Sequence, residues 1–340
     1  MEIKYTFWNN KGGTGKTSLA FQSITRYAEK YPDKKILAID ICPQANLSEL
    51  MLGGLNNHGS ERLLYCHGQV PRCSLGGYFQ LRLPSPYIPP DFNAHDFITK
   101  PSTYNGAIPS NIDLVCGDPL LELQSNAVNS LANNSIPGTN TWIGVVDWLN
   151  DFLKKIKDDY DVVFMDCNPS FSMYTQIALA TTDRIILPVM ADDSSRRAIQ
   201  NALSLVFGLR LPSEIYANYA FATKLKESKR KLPKVHLIVK NRLTQYMVPA
   251  SAYAAVLNTI ESDIRGLLLT NSEIFSFTDV NEGFVEIRDF QTTGVVAFAK
   301  GLPFSKVDIG KQTIGGHRVQ VNRNYLTNSK NAIELLVNKL

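Results

Sequence analysis

The sequence has few features of an exported, membrane-spanning or metal-chelating protein. Its five cysteines are scattered and form no Cys-x-x-Cys pair, a pattern that favours reduced thiols over a disulfide framework or a zinc site. No apolar run approaches the roughly 18 residues that a membrane helix needs, and the first residues lack the layout of a signal peptide. We therefore expect a cytoplasmic protein.

A strong charge bias is also absent. The 340 residues carry a formal net charge of only +4, which permits contact with nucleic acid without requiring it. Hydrophobic residues make up 44% of the chain, enough for a sizeable core. Length alone allows about two domains, but α/β folds of this size are often single, and we expect one domain over residues 1–340.

The most informative stretch runs from Asn9 to Ser18 and reads NNKGGTGKTS. It follows a β-rich run, Ile3 to Trp8, and leads into a segment, Leu19 to Lys30, with the apolar spacing of a helix. A strand, a glycine loop and a helix in this order form the context that a phosphate-binding loop requires.

The residue types of this stretch match the chemistry of a bound nucleoside triphosphate. Its glycines lack a Cβ, so the backbone can curl and point successive N–H groups inward. Lys16 supplies a charge for the β- and γ-phosphates at the positive end of the helix. Thr17 supplies a hydroxyl for Mg²⁺, which prefers oxygen ligands. We expect the whole loop to hold the nucleotide: Lys11, Gly12, Gly13, Thr14, Gly15, Lys16, Thr17 and Ser18.

The loop departs from the ordinary form in one informative way. Asn10 stands where glycine is usual, and Lys11 is an additional lysine. The form K-G-G-x-G-K-T resembles the deviant phosphate loop of the ParA/MinD family of ATPases, in which the early lysine reaches across a dimer interface to the partner's nucleotide. The resemblance implies that Lys11 acts in trans and Lys16 in cis, and that Mg²⁺ and ATP lie between the subunits of a homodimer.

The resemblance extends from residue 3 to about 210, more loosely to 340, and omits 53–111. It implies a P-loop NTPase of the SIMIBI type, a doubly wound α/β fold whose mostly parallel sheet is flanked by helices. The nucleotide would lie at the carboxyl ends of the strands. The strands are predicted at 3–8, 35–41, 112–116, 160–166, 184–189 and 235–239.

The second predicted strand ends in Asp40, and the chain continues Ile-Cys-Pro-Gln-Ala-Asn. This stretch resembles the family's first switch, D-x-D-P-Q-x-N, in which the first aspartate holds Mg²⁺ through water. We therefore assign Asp40 to the catalytic residues together with Lys11 and Lys16. The second aspartate, which positions or activates the attacking water, is replaced by Cys42. A thiol is neutral near pH 7 unless its pKa is lowered, so nucleotide binding is expected while hydrolysis is in doubt. The other reading of Cys42 is a small buried hydrophobe.

The strand at 160–166 ends in Asp166, within the sequence YDVVFMDCNPS. The family pattern here is Y-D-x-I-I-I-D-x-P-P-x, so the resemblance gives Asp166 the Walker B role beside Thr17 and Asp40 at the metal. A strand-end aspartate can also be a structural cap. Asn168 replaces the first proline, which predicts a less rigid loop.

Adenine contacts are expected at the end of the strand at 235–239. The family places an asparagine there, and Asn241 with its neighbour Arg242 are the candidates. Asparagine at a strand end is also a general turn former.

Residues 53–111 differ in composition from the rest of the chain and are interpreted as an elaborated insertion that is atypical of the family. They are rich in glycine, proline, serine, asparagine and aromatics. Loops of this length are uncommon in compact domains and often functional, so the segment is interpreted either as a partner-binding surface or as a lobe that covers the core. Tyr78–Leu83 fits a helical turn or a strand.

The densest positive charge lies at 223–234. It fits salt-sensitive, sequence-independent contact with DNA phosphates, or a solvated loop. The candidates for DNA contact are Lys224, Lys226, Lys229, Arg230, Lys231 and Lys234.

These patterns predict an ATP-dependent dimerisation switch of the ParA/MinD type, acting in partitioning of DNA, plasmid or cargo. The expected partners are a second copy of the chain, non-specific DNA and a ParB-like or other cargo or activator protein, with nucleoid association if DNA is bound. The alternative is a nucleotide-gated scaffold that binds a protein or membrane surface and hydrolyses ATP weakly or not at all. The amphipathic C-terminal segment, 325–340, is predicted to pack as the last helix of the domain, because it lacks the basic and aromatic residues of a membrane anchor.

Two other functions within the same superfamily have less support. A metal-cluster carrier needs paired cysteines at the dimer axis, which the cysteine spacing does not provide. An amide-forming synthetase would need a substrate motif, and none is recognisable.

Overall fold

The protein is described here by a computed structural model that covers residues 1, 3–190, 192–243 and 250–340. The side chains of residues 193, 242, 243, 250–255 and 257 are outside this description. The described part contains a seven-stranded sheet of order β3-β2-β4-β1-β5-β6-β7, in which every neighbouring pair is parallel. Its strands are β1 (Ile3–Phe7), β2 (Ile36–Ile41), β3 (Ile112–Val115), β4 (Val162–Cys167), β5 (Arg184–Met190), β6 (Lys234–Leu243) and β7 (Phe284–Arg288).

Helices cover both faces of this sheet. They are α1 (Lys16–Lys30), α2 (Asn46–Leu52), α3 (Gly59–His67), α4 (Leu75–Arg82), α5 (Leu120–Ala132), α6 (Thr141–Val146), α7 (Trp148–Lys155), α8 (Met173–Thr181), α9 (Asp193–Phe207), α10 (Glu214–Tyr219), α11 (Phe221–Glu227), α12 (Ala250–Thr270), α13 (Val280–Gly283), α14 (Gln291–Lys300) and α15 (Arg323–Val337).

The strands are apolar almost throughout because both of their faces are buried. Successive side chains point to opposite faces, so β2 sends Leu37 and Ile39 into one core and Ile36 and Ala38 into the other. The first core lies under α4–α9, α11 and α12, and the second lies under α1, α2, α14 and α15. The doubly wound fold predicted from the sequence is confirmed.

The segment 53–111 folds against both cores: α4 packs on the first, and Cys66 and Ile108 belong to the second. Its helix α4 buries Tyr78 and Phe79, so the helical interpretation of Tyr78–Leu83 is correct and the strand alternative is wrong. The guanidinium of Arg82 is fully buried, donates to the Asp151 carboxylate at 2.8 Å and lies over the Trp148 ring. The segment is therefore a packed lobe, anchored by an ion pair that excludes water.

The same lobe also covers one edge of the sheet. β3 is the first strand in the sheet order, and its outer side bonds to Thr99 in an antiparallel bridge. The N–H of Thr99 donates to the Leu114 carbonyl and the N–H of Leu114 donates to the Thr99 carbonyl, both at 2.8 Å.

Three further features differ from or extend the sequence-based expectations. The apolar spacing at 142–157 predicts one amphipathic helix, but the structure divides this stretch at Asp147 into α6 and α7. A hairpin formed by β8 (Gly310–Ile314) and β9 (His317–Val321) had no predicted counterpart. α15 packs on α1, where Arg26 bonds to Glu334 at 2.5 Å, as expected for a last domain helix. In the part of the chain that the structure describes, every helix is too short or too polar to cross a bilayer.

Candidate functional site

The phosphate loop connects the end of β1 to the start of α1, at the carboxyl edge of the sheet. Gly13 and Gly15 have φ angles of 73° and 81°, a left-handed conformation that residues with a Cβ rarely adopt. Gly15 is the N-cap of α1, and no side chain caps the helix. Its first N–H groups are therefore available to an anion.

Polar groups inside the loop fix its shape and leave donors and acceptors unpaired. The Lys16 ammonium folds back to donate to the Lys11 carbonyl at 3.0 Å, and burial lowers the pKa of Lys16. Asn9 Nδ2 donates to the Pro188 carbonyl at 2.8 Å, which ties the loop to β5. The side-chain oxygens of Asn10 and Thr14 are buried without a partner among the described residues. Such orphaned polar atoms are costly and fit a loop shaped around a ligand.

Two carboxylates lie side by side beneath this loop. Asp40 and Asp166 are register partners on the adjacent strands β2 and β4, and both side chains are buried. Burial and then the Asp40 charge raise the pKa of Asp166 to about 8, although the Thr17 hydroxyl hydrogen-bonds to it. Burial raises the pKa of Asp40 to about 6, against hydrogen bonds from Ser48 and Cys42. Such a carboxylate pair is destabilised by mutual repulsion unless a cation or a proton is shared.

The pair fits a divalent cation. Asp166 Oδ1 is buried and has no partner among the described residues, while both oxygens of Asp40 are held by bonds from Ser48 and the Cys42 N–H. Mg²⁺ takes one or two carboxylates together with water and substrate phosphates, and Thr17 adds a hydroxyl oxygen. Among the described residues no group of three His, Cys, Asp or Glu side chains could hold a metal alone.

Cys42 lies in the loop after β2, next to the carboxylate pair. Burial and then the Asp40 charge raise the pKa of its thiol to about 12, so it is neutral near pH 7. The turn is tight: Ala45 is left-handed with a φ of 50°. A Cβ on Gly117 would lie 2.6 Å from the Cys42 carbonyl oxygen, so β3 supports this switch closely.

The loop after β4 contains several hydrogen bonds made by the Asn168 side chain. Asn168 was expected to loosen it in place of a proline. In the structure Asn168 Nδ2 donates to the Tyr174 hydroxyl at 2.8 Å, and its Oδ1 accepts from the N–H and hydroxyl of Ser170. An asparagine side chain can fix a turn by bonding its own backbone two residues on; the lower rigidity of the loop stays a prediction.

Lys11 lies at the mouth of the site and contacts a residue that sequence reasoning left unassigned. Its ammonium is 2.6 Å and 2.8 Å from the two carboxylate oxygens of Asp192 and 3.2 Å from Ser195 Oγ. Asp192 is the N-cap of α9. Burial alone would raise the pKa of Asp192, but bonds from Lys11, Ser195 and Ser194 outweigh it and bring the pKa to about 2.

A cavity of about 900 Å³ opens beside the phosphate loop and is lined in part by Ser18, Asn241 and Phe290. Its walls are mainly apolar, suited to a nucleoside. Asn241 lies here as predicted, but its Nδ2 donates to the Thr14 carbonyl at 2.8 Å. This hydrogen bond ties the end of β6 to the backbone of the phosphate loop. The side chain of the other adenine candidate, Arg242, lies outside the described residues.

The basic segment does not form one continuous surface. Lys224 is half-buried over the Trp142 ring, and burial lowers its pKa. Arg230 bonds to Asp147. Lys234 begins β6, at the sheet edge opposite the phosphate loop. The six-residue patch is thus divided, because packing against α6 occupies two of its cations. Lys226, Lys229, Arg230, Lys231 and Lys234 are all exposed, although Arg230 also bonds to Asp147.

The glycine loop with two lysines, placed above a strand-end carboxylate pair in a doubly wound sheet, defines a P-loop ATPase of the ParA/MinD type. A family model described as an AAA domain, AAA_31, matches residues 3–210, and the chain belongs to this family.

Relatives in sequence are distant. The sporulation initiation inhibitor protein Soj of Bacillus subtilis is 24% identical over 199 residues, which cover 58% of this chain and 62% of Soj. An uncharacterized protein of Pseudomonas putida is 27% identical over 191 residues, 54% of each chain. The chain thus spans about half the length of the curated relatives it matches.

Solved structures extend the likeness over the whole chain. McdA from Cyanothece superposes with a TM-score of 0.59 at 14% identity, covering 98% of this chain and 99% of McdA. A putative plasmid partition protein of Borrelia burgdorferi bound to AMPPNP superposes with a TM-score of 0.53 at 14% identity, covering 100% and 99%. At these identities the likeness concerns the fold.

Proposed function

We propose that the protein is an ATP-dependent dimerisation switch that acts in partitioning DNA, a plasmid or another cargo. The observation that carries the proposal is that the two lysines of the phosphate loop differ in position and in bonding partner. Lys16 is buried and turned into the loop, whereas Lys11 lies at its mouth, bonded to an aspartate on another element. A lysine so placed can exchange its partner for a phosphate presented by a second subunit.

The remaining residues supply the binding chemistry. The N–H groups of the loop and of the first turn of α1 would hold the phosphates, with Lys16 as the counter-charge. Thr17, Asp40 and Asp166 would hold Mg²⁺, which neutralises phosphate charge when bound. Two solved structures of similar fold, McdA and the Borrelia partition protein, contain ATP and AMPPNP respectively, which supports the choice of nucleotide.

Hydrolysis in this scheme is slow or depends on an activator. A water molecule needs an acceptor that orients it toward the γ-phosphate, and the neutral Cys42 thiol is a poor acceptor. A ParB-like or other partner protein would supply the acceptor that orients the water. Slow hydrolysis would prolong the lifetime of the ATP-bound dimer, which is the form that binds DNA or the partner protein in this proposal.

The decisive experiment measures molar mass by light scattering after size exclusion, with ADP, ATP or a slowly hydrolysed analogue. We expect a dimer with ATP and the analogue and a monomer with ADP. Lys16→Ala should lose nucleotide binding. Lys11→Ala should bind ATP and remain a monomer, and a dimer unchanged by Lys11→Ala would contradict the trans role.

The DNA part of the proposal has its own test. Random duplex should bind only to the ATP form, and binding should weaken steeply with salt. The alternative function, a nucleotide-gated scaffold for a protein or membrane surface, is favoured by the internal contacts that two of the six predicted DNA-facing cations make, Lys224 with the Trp142 ring and Arg230 with Asp147. Absence of DNA binding by a dimer that still forms with ATP would select it.

A further inference from the structure

Three cysteine thiols from separate elements meet outside the nucleotide site. Cys66 ends α3 next to His67, Cys73 precedes α4, and Cys116 follows β3. The side chains of Cys73 and Cys116 hydrogen-bond to the Cys66 sulfur, and the Cys73 N–H donates to the Cys66 carbonyl at 3.1 Å. All three thiols are free. The cluster has no part in the nucleotide chemistry described above.

The cluster has the properties of a reactive thiol pair. Hydrogen bonds from Cys116 and then Cys73 lower the pKa of Cys66, which favours the nucleophilic thiolate. Cys73 is only half-buried, and the loop 68–71 beside it is exposed. A small oxidant can therefore approach from the Cys73 side, while Cys116 is fully buried behind the pair.

A continuous line of hydrogen bonds leads from this cluster to the metal carboxylate. The ring Nε2–H of His67, next in sequence to Cys66, donates to the Gly117 carbonyl at 2.9 Å. The Gly117 N–H donates to the Ser48 hydroxyl oxygen at 2.9 Å. The N–H and hydroxyl of Ser48 both donate to Asp40 Oδ2, at 2.9 Å and 2.8 Å. The His67 ring also lies 4.0 Å from Asp118 Oδ2, and a shift of the ring would be passed along these bonds toward Asp40.

We propose that Cys66 and Cys73 form a reversible disulfide that lowers the affinity of the nucleotide site for magnesium and ATP. The proposal rests on the proposed nucleotide function for its effect, though not for its chemistry. The pair is separated by six residues, so the new bond constrains a short loop. The disulfide would therefore change the structure locally, at the end of α3 and at the His67 ring.

The oxidant is a peroxide. The Cys66 thiolate attacks one oxygen of hydrogen peroxide, the O–O bond breaks, and hydroxide leaves with the electron pair. That hydroxide takes the Cys73 proton and becomes water. The Cys73 thiolate then attacks the Cys66 sulfenic acid, forming the S–S bond and expelling hydroxide, which the proton released when Cys66 ionised converts to a second water. Two thiols are oxidised and one peroxide is reduced, and an external dithiol reverses the change.

The first measurement is peptide mapping by mass spectrometry of the full chain after treatment with hydrogen peroxide, without reductant. We expect a Cys66–Cys73 crosslink that dithiothreitol removes. Cys116→Ser should still give it, whereas Cys73→Ser should not. A map in which these two cysteines stay unlinked overturns the proposal, whatever the nucleotide site does.

The second measurement is the dissociation constant of a fluorescent ATP analogue with Mg²⁺, for the reduced and peroxide-treated protein. Because partners behind a metal ligand change metal affinity by about 10–100-fold, we expect about tenfold weaker binding after oxidation and recovery with dithiothreitol. Cys73→Ser should show no change with peroxide. Equal affinity of the reduced and crosslinked forms overturns the coupling, and so does an equal loss in Cys73→Ser, which would place the damage at another cysteine such as Cys42. If the reduced protein binds no nucleotide, the proposed function fails while the crosslink result stands.

Discussion

The ammonium of Lys11 lies 2.6 Å from a carboxylate oxygen of Asp192, 181 positions further along the chain. The pair joins the phosphate loop to the first turn of α9. In the proposed dimer Lys11 would contact the nucleotide of the second subunit, but here it is paired with Asp192 of its own subunit. Dimer formation around ATP would therefore have to exchange this ion pair for a lysine–phosphate contact.

Asp192→Asn should favour the ATP-bound dimer. Asparagine retains the N-cap of α9 and removes the charge that holds Lys11. The pair is partly exposed, with 22% and 42% of its side-chain areas accessible, so it is worth about 1 kcal/mol or less. A dimer exchanges two such pairs, one in each subunit, so the concentration at which half the protein is dimeric should fall by no more than about thirtyfold. Sedimentation measures this, with Asp183→Asn, which loses the Lys4 pair, as control. A weaker dimer would mean that Asp192 also serves the assembled state.

Cys42→Asp should raise ATP turnover measured as phosphate release. The substitution places an ionisable acceptor where the neutral thiol lies, and an oriented water gains a hydrogen-bond partner. Cys42→Ser is the matched control, because its hydroxyl is similar in size but remains neutral, and it should turn over ATP no faster than the unmodified protein. Fast hydrolysis by the unmodified protein alone would show that Cys42 is no impediment.

Asp166→Asn should stabilise the protein without metal while abolishing the effect of Mg²⁺. The substitution removes one of two adjacent buried carboxylates and relieves their repulsion, worth about 1–3 kcal/mol for a poorly satisfied buried group. Urea unfolding should show a higher free energy of unfolding in EDTA. The further stabilisation that Mg²⁺ and ATP give the unmodified protein should be absent. A variant that is less stable in EDTA would show that this carboxylate has a structural role.

Removing the charges of Lys226, Lys229 and Lys231 should weaken DNA binding more than removing three others. These side chains are exposed, and each phosphate contact contributes about 0.9 to the slope of log affinity against log salt. The triple alanine variant should reduce that slope by about 2–3. The control with equal net charge replaces Lys100, Lys157 and Lys306, which are exposed elsewhere. Equal losses in both variants would indicate an effect of net charge.

Stability should rise with pH through the titration of His236. Burial and then the Arg184 charge lower the pKa of His236 to about 4, and its Nε2–H donates to the Lys339 carbonyl at 2.7 Å. The unfolded chain, with a histidine pKa near 6.5, binds this proton first. The stabilisation is thus complete above about pH 6.5 and is lost as the pH falls toward 4, with about 1–2 kcal/mol lost by pH 5.

Urea unfolding at pH 5 and pH 7 measures this difference, and His236→Gln should make it smaller. An unchanged difference in the variant would assign the pH dependence to other groups.

The parts of the site that lie close together in sequence were predictable, and the parts joined through space were not. The spacing of glycines and lysines from Lys11 to Ser18 predicts phosphate binding. The apolar runs that precede Asp40 and Asp166 predict buried strands, and the two aspartates mark where those strands end. The partner of Lys11 depends on how α9 packs beside the loop, and no local pattern encodes that. Asn241 was placed at the right strand end, but its bond to the Thr14 carbonyl depends on side-chain direction.

The segment 53–111 shows the same limit. Its composition indicates loops, yet it forms the helices α3 and α4, and α4 ends in the buried Arg82. Tertiary burial outweighs weak local propensity here, and the interaction that anchors the segment, with Asp151, joins residues 69 positions apart.

The bridge between Thr99 and β3 limits how copies of the protein can polymerise. An uncovered outer strand offers a row of N–H and C=O groups that another chain can extend into a fibre. On β3, the N–H and C=O of Leu114 are already paired with Thr99. Filaments built by strand addition at this side would first have to strip the lobe away.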